Sequence, residues 1–179
     1  MLDTTTAAIA AMTPWIETLQ RGDTVLFALP AADDGGVTKV RPCLVLEVGR
    51  IGGHAFAELA YGTAAMTKAN RGYEIHVNTV AGIALAGLDK PTRFVANRRV
   101  TVSLDSPLFP PSIAHRSPVI GRLDDGALAR MNAVRARIWA ERDIAAERRN
   151  ERRGVTDQGV PVVWRGAAPK RPTISKGAA

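Results

Sequence analysis

Aromatic residues make up 5% of this sequence, and cysteine occurs once. With so few rings, the core must come from Val, Leu, Ile and Ala. Apolar residues reach 46% of the 179 positions, enough for one well-buried domain with appendages. The single cysteine, Cys43, cannot form an internal disulfide and falls in an apolar, strand-like run, which fits a reducing compartment. The histidines, His54, His76 and His115, are dispersed. One Cys and three scattered His offer no ligand spacing, so neither a metal nor a cofactor is expected. No apolar run approaches the roughly 20 residues that span a bilayer. The N-terminus lacks a basic-then-apolar leader. The expectation is a cytoplasmic protein with no membrane attachment.

The net charge of +7 is unevenly placed. Residues 1–129 carry 12 Lys/Arg against 12 Asp/Glu, whereas residues 130–179 carry 12 against 5, so the whole excess lies in the C-terminal part. A basic tail fits nucleic acid, an acidic partner or plain solubility, and composition does not choose among them. Neutrality over 1–129 argues against strong non-specific nucleic-acid binding by that region alone.

Frequent Gly and Pro between short alternating runs predict a small, closed or partly closed β structure. The strands are expected at 24–29, 40–48, 54–61, 73–77, 93–104 and 118–123. Gly22-Asp23 is a turn signal ahead of the first, in which Val25, Phe27 and Leu29 recur at the period of a strand. Asp33-Asp34-Gly35-Gly36 is a second turn cluster, predicting a hairpin with a long connection. Pro42 restricts Arg41 to extended backbone and removes a ladder donor, which suits a sheet edge or a strand start. Arg41 would then be a charge on a rigid backbone, either meeting a phosphate or simply solvated beside an edge proline.

Thr13-Pro14-Trp15-Ile16-Glu17 reads as the start of a short helix, with Trp15 docking it on the β structure. After Asp124-Asp125-Gly126, the residues Leu128, Met131, Val134 and Ile138 recur at spacings of three and four, the apolar stripe of a helix. The acidic pair at its N-terminal end complements the dipole. Beyond Trp139 the stripe decays, and the helix is expected to fray before Gly154. Four segments follow: an N-terminal extension over 1–20, a β-barrel over 21–123, a helix over 124–153 and a disordered basic tail over 154–179.

Several stretches, in order, resemble the MazF/PemK toxins of toxin–antitoxin systems. They are Arg21-Gly22-Asp23-Thr24-Val25-Leu26-Phe27, the Arg41-Pro42 strand opening, Ala60-Tyr61-Gly62-Thr63, Gly87-Leu88-Asp89-Lys90-Pro91-Thr92-Arg93-Phe94-Val95, and Ser117-Pro118-Val119-Ile120-Gly121-Arg122-Leu123 before the helix. The resemblance covers about 22–140. It implies an SH3-like barrel of the CcdB/MazF/PemK type, active as a homodimer, silenced by a cognate antitoxin, and cutting single-stranded RNA without a metal. In such chemistry the 2′-hydroxyl attacks the adjacent phosphate, leaving a cyclic phosphate and a 5′-hydroxyl. That requires proton transfer and donors aimed at the developing charge.

Carried over residue by residue, Arg41 would be the principal catalytic residue, forking onto phosphate oxygens. Thr63 would donate its hydroxyl to the same phosphate. Thr63 reads equally well as a helix N-cap in Gly-Thr-Ala-Ala-Met. His115, in a Pro-rich segment from Asp105 to Arg116 that looks like an insertion, is a further catalytic candidate, since histidine moves protons where arginine does so poorly. Lys39, Lys68, Arg71, Arg98 and Arg99 are candidate RNA contacts or, equally, a solvated rim. The sequence departs from the family at Ala64, where Ser is common, and at Asn97, near where some members carry an acid. The alternative is therefore a non-catalytic barrel that inhibits a protein target such as gyrase, or a binding module.

Overall fold

A computed structural model describes residues 15–29, 39–65, 67 and 69–153. The turn cluster at 33–36, Thr13-Pro14, Lys68 and the segment 154–179 lie outside the described residues. Six strands form one antiparallel sheet: β1 (Asp23–Leu29), β2 (Lys39–Ile51), β3 (His54–Thr63), β4 (Glu74–Val77), β5 (Thr92–Ser103) and β6 (Val119–Arg122). Their order is β4-β5-β3-β2-β1-β6, a half-barrel that leaves β4 and β6 as edges. Each expected strand is present, with ends shifted by at most three residues. Two helices are added, α1 (Val80–Leu85) and α2 (Asp125–Arg153). No helix among the described residues is long and apolar enough to cross a membrane.

Both faces of the sheet are covered, and β2 shows how. Its central run is buried throughout, and alternate residues enter different clusters. Leu44 and Leu46 join Ile75, Phe94 and the α2 stripe Met131, Val134 and Ile138. Cys43 and Val45 join Val25, Phe27, Leu59, Trp15 and Phe109. The expected stripe on α2 is thus the one that packs on the sheet, with Leu128 at its margin. Trp15 docks as expected, within a helical turn over 15–18, its ring centroid 5.3 Å from that of Phe109. Phe109 also meets Phe27 edge-on at 4.9 Å, a favoured aromatic geometry. The Asp105–Arg116 segment therefore supplies core to the domain, whatever its origin as an insertion.

Helix α1 was not expected from periodicity. Six residues containing a glycine and a valine give no stripe to read. It stands on its two ends. Thr79 Oγ1 accepts from the Gly82 amide at 3.0 Å as an N-cap. At the other end Leu88 N–H donates to Ile83 O and Gly87 N–H to Ala84 O, the Schellman arrangement. Gly87 has φ +63°, and a Cβ there would lie 2.0 Å from Ile120 O. Only glycine permits both the left-handed turn and that approach to β6.

By its internal contacts the chain divides into Met1–Ala140 and Glu141–Ala179. The first unit holds the sheet, both core clusters and the packed turns of α2. Of the second, the described part is 141–153, helical to Arg153 with mostly exposed side chains.

Candidate functional site

The β2–β3 ladder is the origin of the site. Its register runs Val45↔Leu59, Leu44↔Ala60 and Cys43↔Tyr61. The next pair would be Pro42 with Gly62, but proline has no N–H to give, and the ladder ends there. From that point β2 pairs only with β1, as in Phe27↔Arg41. The end of β3 pairs only with β5, through Gly62↔Phe94 and Thr63↔Arg93. The backbones are still close at the parting. A Cβ on Gly62 would lie 2.8 Å from Pro42 O and 2.9 Å from both Phe94 and Thr92. Continued one step further, the same register would set Arg41 opposite Thr63. Pro42 is thus the fourth residue of an interior strand, neither a strand start nor a sheet edge, and it leaves an edge only toward β3 while staying paired with Leu26 of β1.

Where the strands part, a cavity of about 770 Å³ opens, within the size range of small-ligand sites. One wall is Lys39–Pro42 from β2. A second is Gly62–Ala65, at and after the end of β3. The third is Gly87–Lys90, the turn that the Schellman motif pins after α1, with Thr92 beside it; Leu26, Ser112 and Ile120 complete the lining. The charged lining residues are Lys39, Arg41, Lys90 and Asp89, three cations to one carboxylate. Residues 1–129, neutral overall, therefore concentrate positive charge at this opening, which favours an anionic ligand.

Arg41 is exposed and has no hydrogen-bond or ion-pair partner among the described residues. Thr63 is half-buried, and its Oγ1 accepts from the Ala65 amide at 3.1 Å. Ala64 and Ala65 are not helical, so Thr63 caps a turn rather than a helix, a correction to the N-cap expectation. A hydroxyl that accepts still has its proton to donate. Cys43, two residues beyond Arg41, is buried, and burial pushes its thiol up to about 12 against the smaller opposing effects of the Gly62 amide and Arg41. It is a neutral core side chain at physiological pH.

The other sequence candidates divide. Lys39 lines the cavity. His115 is exposed in a turn closed by hydrogen bonds from Ser112 N–H to Ser117 O and from Arg116 N–H to Ser112 O. That turn presents Ser112, and not His115, to the cavity. Arg99 Nε is 2.7 Å from Glu58 Oε1 and serves a cross-strand ion pair. Arg98 donates toward the Tyr61 hydroxyl at 3.5 Å, and Arg71 is exposed on the turn before β4. Neither Arg98 nor Arg71 lines the cavity. Asn97 donates to Asn70 Oδ1 at 3.1 Å, linking β5 to that same turn. Sequence reasoning missed Asp89, Lys90 and Ser112 as lining residues. The Gly87-Leu88-Asp89-Lys90-Pro91 turn carried the signal, since a polar turn between an apolar run and a strand is where ligands are met.

Among the described residues no three His, Cys, Asp or Glu side chains gather as metal ligands would. Compared with models of known protein families the chain matches none, and compared with curated proteins it matches none.

Proposed function

We propose that this chain is an SH3-like barrel of the MazF/PemK type and a metal-independent endoribonuclease acting on single-stranded RNA. The observation that carries the reading is the meeting of Arg41 and Thr63 at one cationic opening, with the Arg41 guanidinium unengaged by any described residue. A guanidinium without partners keeps its planar fork of donors for a phosphodiester. In the proposed step the RNA 2′-oxygen bonds to phosphorus and the P–O5′ bond breaks, giving a 2′,3′-cyclic phosphate and a 5′-hydroxyl. Arg41 and the Thr63 hydroxyl hold the non-bridging oxygens as negative charge builds on them. The 2′-hydroxyl proton passes to the Asp89 carboxylate, and a lining lysine, Lys39 or Lys90, supplies the proton that the 5′-oxygen takes. The resemblance adds a homodimer and an antitoxin whose acidic or apolar segment would cover the opening, in keeping with three cations there.

The second reading, a non-catalytic relative directed at a protein target, draws on Ala64. It lies in the lining where family members commonly offer a second hydroxyl. No histidine among the described residues lines the opening either. One experiment separates the two. Purified protein is incubated in EDTA with a long single-stranded RNA and with the same sequence as DNA. The ribonuclease reading expects discrete RNA fragments with 5′-hydroxyl ends and intact DNA. Uncut RNA across varied sequences turns the assignment to a protein target.

A further inference from the structure

The wall that carries Thr63 has almost no secondary structure of its own. Between the end of β3 and the start of β4, residues 64, 65 and 67 are neither strand nor helix, and 69–72 form turns. Carbonyl groups in such a stretch need partners from elsewhere. Arg93 supplies them. Its NH1 donates to Thr67 O at 2.8 Å and more weakly to Ala69 O at 3.4 Å. Its NH2 donates to Thr67 Oγ1 at 3.0 Å. The same NH1 also donates to Glu74 Oε1 at 2.8 Å. Both residues are buried, Arg93 at 4% and Glu74 at 7% exposure. Arg93 is also the cross-strand partner of Thr63 itself. A buried ion pair is expensive to desolvate, and apolar residues of similar volume often stabilise as well or better. Specification of geometry is one attested use of such a pair.

We infer that Arg93, backed by Glu74, is a positioning residue that fixes the Thr63 wall of the cavity. It touches no ligand; it acts through the Thr67 and Ala69 carbonyls on the chain that follows Thr63. The same guanidinium that closes the core therefore also sets how far Thr63 stands from Arg41. The kinetic part of this inference rests on the ribonuclease reading, whereas the structural part stands without it.

The test pairs two variants with two readouts. Arg93→Met/Glu74→Gln removes both charges at similar volume, so that no buried ion is left alone. Thr67→Val removes one acceptor at an exposed residue. Trypsin nicking after Arg71 reports whether the wall is held, and single-turnover RNA cleavage reports whether Thr63 is in place. For the folded double variant, we expect nicking at least tenfold faster than wild type. Its rate constant for cleavage should fall by up to about tenfold, no more than loss of the Thr63 hydroxyl itself would cost, with RNA affinity within about threefold of wild type. Thr67→Val should move both readouts the same way by a smaller factor, and Arg93→Lys, which keeps the charge and loses the fork, should fall between. Wild-type nicking in a folded double variant overturns the inference. If the double variant does not melt cooperatively, unchanged nicking in Thr67→Val overturns it instead. A wild type that cuts no RNA overturns the ribonuclease reading alone, because the nicking comparison still decides the role of Arg93.

Discussion

Two arginines flank Thr63, and their surroundings differ completely. On the β5 side stands Arg93, buried, with its donors on Thr67, Ala69 and Glu74. On the β2 side stands Arg41, exposed, with no partner among the described residues. Residue type and charge do not separate them; engagement of the terminal guanidinium nitrogens by protein does. An arginine whose hydrogen bonds are already made by protein is structure. One held on a strand by a following proline, at the mouth of a cavity and with its donors unengaged by any described residue, is available to a ligand. The same reasoning removes Arg99, engaged with Glu58, from the candidate RNA contacts and keeps Lys39.

The comparison is most exposed to single substitutions, because each arginine should fail in its own way. Arg93→Met alone leaves the buried Glu74 carboxylate, among the described residues, with only the half-exposed His76 imidazole, 3.7 Å from its Oε2, beside it. It should lower stability by about 3–5 kcal/mol, read in a denaturant melt; a loss under about 1 kcal/mol would mean the pair is not the anchor its geometry suggests. Next in size is Arg41→Lys. It keeps the charge but not the planar fork, and RNA cleavage should drop roughly 10- to 30-fold with an unchanged melt. Full activity in the lysine variant would reduce Arg41 to a point charge. Thr63→Val, which removes one donor at nearly constant shape, should cost about tenfold or somewhat less in cleavage, one hydrogen bond's worth. At the small end, His115→Gln should change cleavage by less than about twofold, since the 112–117 turn directs Ser112 to the cavity. A larger effect would restore His115 to the site.

Much of the fold was legible because its signals are periodic. Val25, Phe27 and Leu29 alternate, the α2 stripe recurs at three and four, and glycines punctuate the strands. Where the signal is not periodic, the reading failed. Helix α1 is six residues long and is defined by Thr79 and Gly87 at its ends, a capping pair that hydropathy does not register. The 105–116 segment looked like a decoration because its prolines dominate the eye, yet Phe109 between them completes the Trp15–Phe27 cluster. The site was half legible. Arg41, Thr63 and Lys39 meet at one cavity because Pro42 ends the ladder, a consequence of one residue's missing N–H that can be reasoned from sequence. Asp89, Lys90 and Ser112 reach it through the α1 turn and the Phe109 segment, whose placements depend on long-range packing. The fate of an arginine was the least legible feature, for nothing local distinguishes Arg93 with a buried carboxylate 19 positions away from Arg41 with none among the described residues.

The central claim, that Arg41 is the unengaged guanidinium through which this cavity acts on RNA, has a direct test. Wild type and Arg41→Ala are purified identically, and their melting and their single-turnover cleavage of one defined single-stranded RNA are measured side by side in EDTA. The account predicts melts within about 0.5 kcal/mol of each other, as for a surface substitution. It also predicts a cleavage rate lower by about 10²–10³ in the variant, the scale of losing a donor to transition-state charge. Equal cleavage by the two proteins, with equal melts, would contradict it.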